Sequence, residues 1–81
     1  MKLLEAVSIR INSIIDQMKN IKTRDIADSA GISRSTLWKV LHPDYTIVKT
    51  MKLNTLYQIL AALDIKLGYF FNDPIFDEIE D

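Results

Sequence analysis

Apolar residues in the first quarter of the chain recur at steps of three and four. Leu4, Val7, Ile11, Ile14 and Met18 form one stripe on a helix of roughly residues 2–19. Arg10, Asp16, Gln17 and Lys19 fall largely off that stripe. It covers under three heptads, so a core-facing helix fits better than a coiled-coil seam. Thr23 then precedes Arg24-Asp25-Ile26-Ala27 and predicts an N-cap with an acid in the first turn. Gly31 ends that short helix, Ser33 caps the next one through Leu41, and Pro43 stops it. Residues 42–51 predict a loop or extended excursion, in which Thr46, Ile47 and Val48 allow a short strand. Leu53, Leu56, Leu60 and Leu63 resume the helical spacing over about residues 52–63.

The end of the chain supports two readings. Ile65, Leu67 and Tyr69 alternate with Lys66, Gly68 and Phe70, the pattern of a short strand. The same stretch also makes a helical turn carrying Leu67, Phe70 and Phe71. Asp73-Pro74 opens a last turn with Asp as N-cap and Pro at the first helical position, with Ile75, Phe76 and Ile79 on one side. Two glycines and two prolines point to helices with short joints.

At 81 residues the chain is one small domain. With no cysteine and a single histidine, His42, it offers no disulfide framework, no thiolate or His-rich metal site and no cysteine nucleophile. No glycine-rich phosphate loop and no nucleophile–base pair is evident, so the expectation is a non-enzyme without a cofactor. Apolar runs are short, and Glu5, Ser8 and Arg10 interrupt the N-terminal segment, so neither a membrane span nor a signal peptide is expected. The formal net charge of −1 hides an asymmetry. Residues 1–52 hold nine Lys/Arg and five Asp/Glu, whereas residues 53–81 hold one and six. A basic front and an acidic back let one face meet a polyanion despite the near-neutral total.

Residues 23–42 meet the demands of two short helices joined by a tight turn. Ile26 faces the core, and Ala27 is small where the second helix crosses. Ala30 closes the first helix, and Gly31 reverses the chain without a Cβ penalty. Ile32 packs back from the turn, while Leu37 and Val40 anchor the second helix. Seven positions in register are the pattern of a helix-turn-helix.

The stretch TRDIADSAGISRSTLWKVL resembles the helix-turn-helix of the lambda-repressor-like (XRE) DNA-binding family, and KLNTLYQILAALDIKLGYFF resembles the helices that follow it. The resemblance covers about residues 3–71 and implies an all-α bundle of about five helices. It divides the chain into a DNA-binding domain over residues 1–72 and an acidic tail over 73–81. It also implies that the second helix of the motif, at about residues 33–42, lies in the major groove. By position, Ser33, Arg34, Ser35, Trp38 and Lys39 would then meet base edges. Their chemistry suits the task independently. Arg34 can donate two hydrogen bonds to guanine, Ser35 can donate or accept, and Lys39 can reach a base or the backbone. Trp38 lies on the solvent side of Leu37 and Val40, available to a thymine methyl or a sugar, or else packed in an interface. Thr23 stands where the family often places a phosphate-binding glutamine. Its hydroxyl and the free N–H groups at that helix start can hold a phosphate. Lys49 and Lys52 are the natural phosphate clamps of the following loop, or solvated loop charges.

The function implied is that of a cytoplasmic, sequence-specific regulator of bacterial or phage origin. It would repress by occupying operator DNA as a homodimer. A phage or mobile-element repressor and an autorepressing antitoxin that binds a toxin through its acidic end fit equally. An anti-repressor is another candidate protein partner. The competing class is a protein-interaction module that uses the same fold without DNA.

Overall fold

The computed structural model describes residues 1–44 and 50–80. Five α-helices follow in order: α1 (Leu3–Gln17), α2 (Thr23–Ala30), α3 (Arg34–Leu41), α4 (Leu53–Ala62) and α5 (Leu67–Phe71). A 3-10 helix, Pro74–Glu78, ends the chain. The described residues contain no strand, so the alternating reading of residues 65–69 gives way to helix α5. The short-strand expectation at Thr46–Val48 lies outside the described residues.

Each helix contributes its apolar stripe to one core. Val7, Ile11 and Ile14 enter from α1, Ile26 and Ala27 from α2, and Leu37, Val40 and Leu41 from α3. Leu56, Ile59 and Leu60 come from α4, Leu63 from its end, and Phe70 from α5. Ile11, Ile59, Leu60 and Phe70 are fully buried. Burial of each such side chain stabilises by about 1.5–3 kcal/mol, which a chain this short needs. Met18 packs against this core from just beyond the end of α1. Leu53, by contrast, is 71% exposed, so the buried stripe of α4 begins at Leu56.

Among the described residues, three left-handed residues set three of the joints. Gly31 (φ 72°) follows α2, with its N–H donating to Asp28 and that of Ile32 donating back to Ala27. This double bond pattern is a Schellman cap. Asp64 (φ 57°) does the same after α4, where Ile65 N–H donates to the Leu60 carbonyl at 2.8 Å. Asn20 (φ 75°) turns the chain between α1 and α2. Asn and Asp tolerate this region better than other side chains, which is why two of the three joints need no glycine.

Arg10, off the main stripe by spacing, is nearly buried. Its side chain is 11% exposed and lies 3.3 Å from the Asp73 carboxylate. It also donates to the carbonyls of Phe70 and Tyr69, and its guanidinium stands over the Tyr69 ring. Asp73 meanwhile accepts from Ile75 N–H and caps the 3-10 helix, with Pro74 opening that helix as the sequence predicts. The acidic segment is therefore folded back. Phe76 packs on the core, the N-terminal amine donates to the Glu78 carbonyl, and Glu80 N–H donates to the Met1 carbonyl.

Candidate nucleic-acid interface

Helix α3 is held at both ends by side chains that are consumed in holding it. At its start, Ser33 is the N-cap and its hydroxyl accepts from Thr36 N–H at 3.0 Å. The Thr36 hydroxyl lies 2.8 Å from the same oxygen. At its end the last carbonyls have no partner within the helix. The Leu41 carbonyl accepts instead from Ser8 Oγ at 3.2 Å and Asn12 Nδ2 at 3.0 Å, both on α1. Ser8 is itself buried, at 4% exposure. One face of α3 sits on Leu37, Val40 and Leu41, so the opposite face has to look outward.

That outward face carries Arg34, Ser35, Trp38 and Lys39, all exposed. Among the described residues, neither Arg34 nor Lys39 takes part in an ion pair. Their donors remain available to an external acceptor. Trp38 is 63% exposed and its ring meets that of His42 at a tilt of 42°, with centroids 3.9 Å apart. Thr23, Arg34, Ser35, Trp38 and His42 line one shallow cavity of about 320 Å³, floored by Leu37 and Leu41. Helix α2 thus places its first residue beside the exposed face of α3. The arrangement is a polar and cationic rim around an apolar floor, open to solvent. It suits hydrogen bonding to base edges and phosphates together with an apolar contact to a methyl group or sugar.

A family model for the Cro/C1-type HTH DNA-binding domain matches residues 10–73. The chain belongs to this DNA-binding family. No curated protein and no solved structure matches it. The ends of the matched span are Arg10 and Asp73, the two partners of the ion pair that joins α1 to the C-terminal segment. The Cro/C1-type match takes in α2 and α3 whole, and with them every candidate contact residue.

Within this Cro/C1-type domain the candidate residues fall into three groups. Thr23, Arg34, Ser35 and Trp38 come together in the cavity, with Ser33 capping the same helix. Lys39 stands apart from the cavity in the last turn of α3, and Lys52 is the exposed N-cap residue of α4. Lys49 lies outside the described residues. Thr23 is not an N-cap, because Lys22 occupies that position and Thr23 is the first helical residue. Its hydroxyl is thereby left out of any cap bond. His42 is the residue that spacing alone underweights. The i, i+4 relation to Trp38 is the signal for it, since such pairs meet on a helix face.

Among the described residues no group of three or more His, Asp or Glu is placed to hold a metal. No helix among them is long and apolar enough to cross a membrane.

Proposed function

We propose that this chain is a sequence-specific transcriptional repressor that binds operator DNA as a homodimer, with α3 as the recognition helix. The observation that carries this reading is the division of labour on α3. Side chains at its ends and on its inner face are spent on holding it, and among the described residues Arg34 and Lys39 on its outer face take part in no ion pair. Arg34, Ser35, Trp38 and Lys39 then read base edges in the major groove, and Ser33 sits where the helix enters it. Thr23, Lys49 and Lys52 hold phosphates and fix the register. The DNA-binding unit is residues 1–72. The acidic segment 73–81 is repelled by the phosphate backbone, and within it residues 73–80 serve as a clamp on α1 and the N-terminus rather than a contact. Repression follows from occupancy of a promoter, without catalysis or cofactor, in the cytoplasm of a bacterial host.

The test is a titration of the protein with DNA from upstream of its own gene across a salt series, read by Trp38 fluorescence and by anisotropy of labelled DNA. Arg34→Ala is expected to cost about 1–3 kcal/mol and to relax preference at one base position. Lys39→Ala lowers affinity, and if its contact is a phosphate it also reduces the salt slope by about one. Absence of binding to pooled random DNA at low salt would overturn the reading. A protein partner for the chain would then be sought, and dispensability of the Arg34–Lys39 face would support the interaction-module alternative.

A further inference from the structure

Trp38 is the large apolar side chain on the outer face of α3, and its ring has a neighbour. The His42 ring lies 3.9 Å from it between centroids, although both residues are exposed. The two are one helical turn apart, so they share a face. The backbone beneath His42 is set from several directions. Its N–H donates to the Trp38 carbonyl at 2.8 Å. Leu41 before it is buried, and the Leu41 carbonyl is taken by Ser8 and Asn12. Pro43 after it cannot continue the helix. His42 is therefore a ring on a fixed base, and Trp38 leans on it.

The cavity that both rings line has an apolar floor, Leu37 and Leu41, which are 1% and 7% exposed. Such a floor offers no hydrogen bond to a base. It can only take apolar surface out of water. Among the base edges of the major groove the thymine methyl is the apolar group. Arg34 and Ser35 stand one turn earlier on the rim of the same cavity, where they can bond the polar edges of neighbouring bases. An exposed tryptophan free to change rotamer would lose that freedom on meeting DNA, at a cost to affinity. A ring already propped by its neighbour loses less.

We propose that His42 is a positioning residue of the interface: it holds the Trp38 ring beside the Leu37–Leu41 floor, and the ring so held reads a thymine methyl. This rests on the DNA-binding reading above and extends it to the group that is read and to a residue on which that reading depends. His42 acts through Trp38 and needs no contact of its own with DNA.

The experiment uses duplexes that the full wild-type chain selects from pooled random DNA, with each thymine replaced in turn by deoxyuridine, which lacks only the 5-methyl group. Affinity is read by anisotropy of labelled DNA for wild type, Trp38→Ala, His42→Ala and His42→Phe, and circular dichroism confirms that each variant folds. In wild type, uracil at one thymine of a half-site should weaken binding about fourfold, the worth of one buried methyl group. Trp38→Ala and His42→Ala should erase that difference, and His42→Phe, which restores a ring, should bring it back. Trp38 is the one tryptophan of the chain, so time-resolved fluorescence anisotropy of the free protein reports its ring. Local motion should be faster in His42→Ala and return to the wild-type rate in His42→Phe.

A wild type that binds its selected DNA without loss at any uracil would overturn the methyl reading. A thymine preference that survives His42→Ala, even where that variant weakens binding to thymine and uracil DNA alike, would overturn the positioning role and make His42 a contact in its own right. A preference lost in His42→Ala and not recovered in His42→Phe would also overturn it, because the ring would then not be what matters. Each of these leaves DNA binding standing. Failure of the wild type to select any DNA at low salt would overturn the DNA-binding reading and this inference with it.

Discussion

The two bonds to the Leu41 carbonyl make a quantitative prediction about how the recognition helix is held. Ser8 Oγ and Asn12 Nδ2 both donate to this one oxygen, at 3.2 and 3.0 Å. Leu41 itself is buried. Ser8→Ala or Asn12→Ala alone leaves the carbonyl one donor. Loss of a single neutral bond costs about 0.5–1.5 kcal/mol, and Asn12→Ala also removes the 2.9 Å bond from Nδ2 to the Ser8 carbonyl. Both positions are inside α1, and alanine is the better helix former there by roughly 0.5 kcal/mol. Ser8→Ala should thus lose only a few tenths to about 1 kcal/mol, and Asn12→Ala about 1 kcal/mol because it loses two bonds. The double variant differs in kind. It leaves a buried acceptor with neither α1 donor, which adds a desolvation penalty of about 1–3 kcal/mol. The losses should therefore be strongly non-additive, with a coupling energy of about 1 kcal/mol or more.

Urea unfolding followed by far-ultraviolet circular dichroism measures all four corners of this cycle. In thermal melts, each 1 kcal/mol corresponds to about 4–8 °C for a chain of this size. Losses that sum to the double-variant value within about 0.3 kcal/mol would refute the reasoning, because the shared acceptor would then carry no energetic weight.

Two further outcomes follow from the same bonding. Arg10→Met keeps the aliphatic stem but loses the Asp73 ion pair and the bonds to Phe70 and Tyr69. It should cost about 1.5–3 kcal/mol by urea denaturation, less than a fully buried pair because Asp73 is 31% exposed. At Ser33, alanine should lower stability by about 1 kcal/mol through the lost cap, whereas Ser33→Asp keeps the cap. Ser33→Asp should nevertheless weaken DNA binding in the anisotropy titration by placing a negative charge at the groove. Unchanged binding there would remove Ser33 from the interface.

The helices that were legible in the sequence are those whose signals are local. The Gly31 turn, the Ser33 cap and the Leu37–Val40 anchor each depend on residues within a few positions of one another, and each stands as the spacing predicts. Residues 65–71 were not legible, because alternation over six residues cannot separate a strand from one helical turn. What decides the matter is packing from outside the segment: Phe70 is fully buried in the core built by the other helices, and local spacing does not report those partners. Leu53 misled for the opposite reason. It has the right spacing, but it lies at the first turn of α4 on the side that no other helix covers. The Arg10–Asp73 pair joins residues more than sixty positions apart, and no periodicity reports such a partner.

The same contrast explains why the candidate site was legible as chemistry but not as an assembly. Arg34, Ser35, Trp38 and Lys39 stand out because they are polar, cationic or amphipathic on the face opposite Leu37 and Val40. What makes them usable is remote. Ser8 and Asn12, some thirty residues earlier, fix the end of α3, and Thr23 and His42 complete the cavity beside it. If α3 is the recognition helix, as proposed, its being pinned at both ends means little ordering on meeting DNA, so more of each new hydrogen bond appears as affinity. The long side chains of Arg34 and Lys39 still lose rotamer freedom on binding, but the helix beneath them does not have to be positioned again. On the function proposed above, variants in the groups that hold α3 should change DNA affinity without touching DNA, and variants on its outer face should change specificity while leaving the fold intact.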